Sequence, residues 1–557
     1  MRIQTITSGV AYLATVAMAI GAMASTAHGQ PLHDILGRAP GNQFGWAVSG
    51  AGDVNRDGVP DFVVGAPMSD APPDSGSVRV FSGDTGNELF SVGGPSAYGY
   101  FGYSVSDAGD IDRDGHGDII VGAPDATGPG KAYVISGRTR GILYTFSGSQ
   151  NGDRFGASVS HAGDINRDGN ADVIVGAPGA DFNPQRVGTA TIFSGANGAV
   201  LRQFTASAPA TGFGFSVSSA GDVNRDNWDD VIVGAPYDDT AFNDAGQAQV
   251  YSGRNGRVLY SFEGETAEAQ LGCAVSGAGD VDRDNHADVI VGARFEYDRG
   301  RAQVFKGVDG SLHHVYWGVA RGSWFGGSVS DAGDMDNDGF DDVLVGSALD
   351  GVTTNPTQYP IPGACRAVSG FMGSVIHEVQ GPSNLSWFGL SVSGVGDVNN
   401  DGYADFVVGT PLGDSGRGNA QLFSGSPVGF ATRNNWISLS RGGTQDLSLR
   451  ATVANSGQRY WVLGTASGTT PGTPLGAVTL PLNLDPYLAH TVTAPNVAPL
   501  VNSMGTLDAQ GNASVQFTLP AGCPPALLGL KLHHSGIVFD ANTIRMVTNP
   551  VAVTLLR

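Results

Sequence analysis

One segment occurs seven times in this chain, and it limits the possible folds more than any other feature. In its third copy it runs from Phe155 to Pro178 and reads FGASVSHAGDINRDGNADVIVGAP. It contains a nine-residue loop in which Asp164, Asn166, Asp168 and Asp172 put oxygen-bearing side chains at positions 1, 3, 5 and 9. Side chains at alternate positions of a tightly curled loop can converge on one point, and a hard cation such as Ca2+ takes six to eight oxygens at close range. Position 6 is Gly58, Gly115, Gly169, Asn227, Asn285, Gly339 and Gly402 in the seven copies. These are the residue types that best tolerate the left-handed backbone such a curl needs.

The candidate ligands follow position by position. Position 1 is Asp53, Asp110, Asp164, Asp222, Asp280, Asp334 and Asp397, and position 3 is Asn55, Asp112, Asn166, Asn224, Asp282, Asp336 and Asn399. Position 5 is Asp57, Asp114, Asp168, Asp226, Asp284, Asp338 and Asp401, and position 9 is Asp61, Asp118, Asp172, Asp230, Asp288, Asp342 and Asp405. Position 7 would contribute a backbone carbonyl from Val59, His116, Asn170, Trp228, His286, Phe340 and Tyr403, with the His116 and His286 rings directed to solvent. Up to seven structural Ca2+ ions are expected, bound most tightly in loops two, five and six, which carry four aspartates each. The loop is not an EF-hand, which needs a bidentate Glu at position 12 and flanking helices. Position 12 is valine in every copy, within a short β-branched run such as VIVGA that reads as a buried strand.

Successive loops start 57, 54, 58, 58, 54 and 63 residues apart. One period holds four short strand patterns: FGASVS before the loop, DVIVGAP after it, then GTATIFSG and VLRQF. Such a period predicts an all-β, seven-bladed propeller, with repeats starting near 41, 97, 151, 211, 270, 323 and 386. The seventh repeat lacks a fourth strand, and Leu32–Leu36 stands where one would be, so residues 32–36 are expected to complete blade seven. An open solenoid is the alternative.

The pattern FG…GD-x-[DN]-x-DG-x-x-D…GAP resembles the FG-GAP repeats of the integrin α-subunit head, over about residues 41–425. The resemblance implies a seven-bladed propeller with Ca2+ loops on its underside and ligands on the opposite, upper face. Departures are Leu271 for the Phe of FG, Arg294 for the Pro of GAP, Gly346-Ser347-Ala348 in repeat six and Thr410 in repeat seven. All seven loops look competent for metal, whereas integrins use only some. Transmembrane signalling is not carried over.

Residues 1–29 read as a secretory signal peptide: Arg2, an apolar run from Val10 to Ala24, then small residues. An uncleaved anchor is the alternative. The propeller is assigned to 30–428. From 429 to 557 the calcium loops stop, and alternating segments such as Asp446–Val453 and Ala513–Leu519 predict a small β-sandwich. In it, His533-His534 reads as a strand with one ring out and one against the core. Cys273, Cys365 and Cys523 are too few and too scattered for a disulfide framework, and Cys273 reads as a core thiol.

The formal charge is −22, and positions 1, 3, 5 and 9 of the loops hold 24 of the 52 acidic residues. Acidity therefore tracks the metal sites and argues against nucleic acid as a partner. There is no GxSxG, no HExxH and no His/Cys cluster suited to zinc, so an enzyme is not expected. The expectation is a secreted, monomeric, non-catalytic binding or adhesion protein. It would take an extracellular protein or polysaccharide ligand, with no membrane span after signal cleavage. A lectin or polysaccharide-lyase-like protein is the alternative. Tyr237, Asp238, Asp239, Tyr297, Trp317 and Tyr359, near the variable loops, are candidate contacts.

Overall fold

A computed structural model describes residues 31–425 apart from 70–72, 126–127, 180–186, 350–362, 382–385 and 401. Beyond 425 it describes the strands, one helix and a few connecting residues. The signal segment, Asp401, Tyr359 and Cys523 lie outside the described residues. Pro31–Ser426 forms one compact unit, and the residues from Pro427 onward form another.

The first unit is a seven-bladed β-propeller. Blade three shows the plan: Ser158–Gly163, Asp172–Ala177, Thr189–Phe193 and Val200–Thr205 pair antiparallel in that order. The second strand of every blade is buried on both faces, which is why its sequence is a continuous apolar run. Six blades are built from consecutive strands. In the seventh, the outermost strand is His33–Leu36, which pairs with Asn419–Phe423, His33 opposite Leu422 and Leu36 opposite Asn419. The wheel also closes at its hub, where the Val48 N–H donates to Ser391 Oγ at 3.0 Å.

The core lies between blades. Ile111, Ile120 and Phe146 of blade two pack with Phe155, Val173 and Phe193 of blade three, and each of the other six seams has a cluster of the same kind. A blade cannot bury its faces alone, so stability comes from neighbour contacts repeated around the ring.

The FG dipeptide is the centre of a β-turn. In all seven copies the N–H after the Gly donates to the carbonyl three residues back, as Trp46 N to Gln43 O at 3.1 Å and Leu390 N to Trp387 O at 3.2 Å. The Gly has φ between 80° and 88°, the value a type II turn needs at its third residue. Adding a Cβ to Gly156 would drive it into the Lys131 carbonyl oxygen of the preceding blade. The Phe beside it forms a backbone bridge to that blade, as Phe101 does with Gly76. Leu271 makes the same bridge with Gly246, so the substitution in repeat five leaves the turn intact.

The second unit contains a four-stranded sheet and a six-stranded sheet. It also has a helix, Pro486–Thr493, that strand patterning does not anticipate. His534 is fully buried, with its ring against Phe517 and Nε2 2.8 Å from the Tyr487 hydroxyl.

Candidate metal loops and the opposite face

Each loop follows an innermost strand and opens with a β-bulge, for example between Asp107 and Gly109. In loop two, Asp110 Oδ1 accepts from the Asp114 N–H and Oδ2 from the Gly115 N–H, both at 2.9 Å. Asp114 Oδ1 accepts from the His116 N–H at 3.0 Å. The backbone is left-handed at position 6, as the residue types require, and also at position 4. There Arg56, Arg113, Arg167, Arg225, Arg283, Asn337 and Asn400 have φ between 54° and 60°.

The ninth aspartate is the keystone. In all seven loops it is fully buried and accepts at least two backbone N–H groups, Asp61 taking a third from Asn55. One comes from position 2 of its own loop, the other from the Gly that ends strand three. For Asp118 the donors are Ile111 and Gly137, each at 2.9 Å. The other six repeat this arrangement at 2.8–3.1 Å. That Gly must approach closely: a Cβ at Gly137 would strike the Gly117 carbonyl oxygen, and the same holds for Gly83, Gly195, Gly253, Gly307, Gly370 and Gly425 with their own loops. The signal is present in the recurring Ser-Gly or Lys-Gly that closes the third-strand motif, but its role is visible only in three dimensions.

In loops two, five and six, positions 1, 3 and 9 bring one carboxylate oxygen each within 4.8 Å of the others: Asp110, Asp112 and Asp118; Asp280, Asp282 and Asp288; Asp334, Asp336 and Asp342. The position-5 carboxylates are not in these groups. Burial, opposed by the two N–H donors, raises Asp118 and Asp288 to about 7 and Asp342 to about 8, with neighbouring carboxylates adding to the rise. An all-oxygen donor set whose charges repel one another fits a hard divalent cation placed among them. Lys306 Nζ lies 2.7 Å from Asp282 and partly neutralises loop five.

Loops one, three, four and seven have Asn at position 3. Asn55 and Asn166 donate to the position-5 aspartate of their own loops at 2.8 Å. Asn224 instead donates to the keystone Asp230 at 3.1 Å, and Asn399 lies 3.5 Å from Asp405.

Neighbouring loops are tied together. The His116 and His286 rings do not face solvent as expected: Nδ1 of each sits 2.7–2.8 Å from the position-2 carbonyl of the preceding loop, Val54 and Val223. Each ring is half-buried against the preceding blade, where a carbonyl needs a donor. Arg113 donates to the Asp168 carbonyl at 2.6 Å, while Arg167 and Arg283 lie over the Trp228 and Phe340 rings at 4.5 and 4.8 Å. Gly117, Ala287 and Ala404, at position 8, donate to the position-1 carbonyls of Asp53, Asp222 and Asp334. The carboxylates of Asp229 and Asp341, also at position 8, accept from the Asp164 and Asp280 N–H groups at 3.0 and 2.8 Å.

The opposite face is formed by the FG turns and the loops between strands two and three. The expected contacts fare unevenly there. Asp238 is buried and accepts from the Thr240 N–H, so it holds its own loop. Tyr237 packs edge-on against Phe215, with centroids 6.1 Å apart. Asp239 is exposed and accepts from the Asp244 N–H. Tyr297 and Trp317 are exposed and in edge contact at 5.6 Å.

Sequence reasoning misses a larger feature. Around the mouth of the channel, Phe295, Trp324, Trp387, Trp46 and Tyr103 form an unbroken arc, with consecutive centroids 6.1, 6.3, 6.5 and 5.5 Å apart. Four of these rings flank FG turns, which carry them to the hub from different blades. At one end of the arc is a cavity of about 390 Å³ lined by Gln43, Trp46, Met68, Tyr100, Tyr103 and Arg154, among others.

Cys273 and Cys365 are free and buried, and burial raises both thiols. Among the described residues, no helix is long and apolar enough to cross a membrane.

Comparison with known proteins agrees with this geometry. The FG-GAP repeat family model matches residues 44–81, 101–135, 155–193, 213–251 and 388–423. Repeats five and six, which carry the Leu271, Arg294 and Gly346-Ser347-Ala348 departures, go unmatched although both build full blades. Among curated relatives, integrin alpha-5 of Xenopus laevis is 32% identical over 42% of this chain and 25% of its own length. Integrin alpha-V of Gallus gallus is 32% identical over 35% of this chain and 20% of its own. Integrin alpha-4 of Xenopus laevis is 36% identical over 26% and 15%. The chain thus spans a quarter or less of these relatives. Its propeller carries FG-GAP repeats and resembles that of integrin α subunits.

Proposed function

We propose that this is a secreted, non-catalytic, calcium-binding propeller that holds an extracellular ligand, a protein or a polysaccharide, on the face opposite its metal loops. Residues 1–29 would be removed on export, 30–428 would form the working head, and 429–557 an appended β-domain. The mature protein would be a monomer without a membrane span. The bound ions are structural in this reading. Positions 1, 3, 5, 7 and 9 of each loop supply the oxygens, and the Ca2+ supplies only charge neutralisation and stiffness.

The observation that carries the proposal is the repeated keystone. Seven buried aspartates each fasten a metal loop to the far end of strand three, so a cation held there stiffens a whole blade. The loop carboxylates are thereby committed to architecture, and the FG-turn face is left to meet ligands. The half-exposed aromatic rings of that face favour a lectin-like variant of this reading over a lyase.

Two measurements test the proposal. Melting followed with calcium and with EDTA should show a clear loss of stability on chelation, because an ion that binds only the folded form stabilises it by mass action. A screen of matrix proteins and glycans should find a ligand whose capture needs calcium and is not turned over. Unchanged melting in EDTA, or chemical turnover of the captured ligand, would refute it.

A further inference from the structure

The aromatic arc narrows the class of ligand, on the reading that the upper face is the binding face. Trp46, Tyr103, Trp324, Trp387 and Phe295 are each half-buried, leaving ring surface open to solvent. They come from blades one, two, six, seven and five, and their contacts run along the channel mouth rather than into one pocket. Such a platform suits an extended ligand with apolar faces. The arc ends in the blade one–two cavity, where the chemistry changes. Gln43, in the FG turn of blade one, has a buried side-chain oxygen with no hydrogen-bond partner. The neighbouring Asn42 side-chain oxygen is in the same state. A buried acceptor left unpaired is costly, and a hydroxyl donor from a ligand would relieve it.

Charge separates the candidates. An aromatic surface can also attract a cation. Here, however, the Arg154 guanidinium already lies over the Tyr103 ring at 5.9 Å, and it lines the cavity together with the Asp125 carboxylate. A lysine or arginine from a partner would find the cation position over Tyr103 already taken. An acidic chain would approach a protein whose formal charge of −22 stays negative even with seven divalent ions bound. A neutral, hydroxyl-rich chain meets neither obstacle: it offers C–H faces to the rings and O–H donors to Gln43, which lines the cavity.

We propose that the arc from Phe295 to Tyr103 and the cavity beyond it form the binding track for a neutral polysaccharide, with Trp387 and Trp46 as its central platforms. The test uses the full calcium-loaded chain and neutral hexose oligosaccharides of two to eight units, with α- and β-linked glucans and mannans as probes. Affinity is read by tryptophan fluorescence and calorimetry. At least one series should bind more tightly as it lengthens. Trp387→Ala and Trp46→Ala should each weaken it about tenfold or more, the loss of one ring's contact. Gln43→Leu should weaken it while leaving the platform intact. Ile142→Ala, on the exposed outermost strand of blade two, should leave it unchanged, and the melting temperature of every variant checks that it folds. Binding of no neutral oligosaccharide, or binding indifferent to Trp387 and Trp46, overturns the inference. If the same two variants instead abolish capture of a protein or a cationic peptide, the upper-face reading survives and the glycan assignment fails. If no ligand of any kind depends on them, both fail.

Discussion

Replacing Asp118 by Ala, with Asp112→Ala as its counterpart, separates the two tasks of a metal loop. Both residues belong to the loop-two carboxylate group, so either change should abolish the ion. Their roles without the ion differ. Asp118 is buried and accepts from Ile111 and Gly137, whereas Asp112 is exposed and accepts one longer bond, from Asp114 at 3.2 Å. Leaving a buried N–H unsatisfied costs about 1–3 kcal/mol. Two such losses, less the relief of no longer burying a charge, come to about 2–4 kcal/mol. In EDTA, exchange of the Ile111 and Gly137 amides should accelerate about 30- to 1000-fold in Asp118→Ala, taking 1.4 kcal/mol per tenfold. In Asp112→Ala it should change little, since that substitution removes a repelling charge and one weak bond. Hydrogen exchange read at these amides, with and without calcium, is the assay. The reasoning fails if the two variants are equally destabilised without metal, or if Ile111 and Gly137 stay protected in Asp118→Ala.

Calcium affinity should rank loops two and six first, with loop five weakened by Lys306 and loops four and seven, whose Asn amides point at the keystone aspartate, last. Single-loop calorimetry checks the order, and Lys306→Met should tighten loop five alone. Stability should also depend on pH in a way that calcium reverses. Burial lifts Asp61 and Asp172 to about 6, Asp118, Asp230 and Asp288 to about 7 and Asp342 to about 8, from an ordinary value of 3.8. The metal-free folded form therefore holds protons that the unfolded chain has released, and its stability should fall as pH rises from about 4 to about 8. With calcium, which needs the ionised carboxylates, stability should rise over the same range. Melting at pH 5 and pH 8 in both conditions decides this, and a chelated protein more stable at pH 8 would contradict it.

Much of the propeller is legible in the amino-acid sequence, because its constraints are local. Period, strand alternation and the Asp/Gly spacing of the loops are written within single repeats. What escapes is relational. The second acceptor role of Asp118 involves Gly137, in the turn after strand three. Within its own repeat the His116 ring reads as solvent-facing, because its partner, Val54, belongs to another repeat. Trp46 and Trp387 are far apart in sequence, and only closure of the ring makes them neighbours. The Pro486–Thr493 helix is hidden because the surrounding segments alternate like strands and it is only eight residues long.

The ties between adjacent loops also say where the wheel should come apart. Position 8 gives an N–H or a carboxylate to the preceding loop at five of the seams, and Arg113 bridges the seam between loops two and three. At the seam between blades seven and one, position 8 is Pro60, which has no N–H to give. Blade seven, on one side of that seam, is also the blade closed by pairing the first and last strands of the unit. A propeller stripped of its ions should open first at this latch, releasing His33–Leu36 before any other strand.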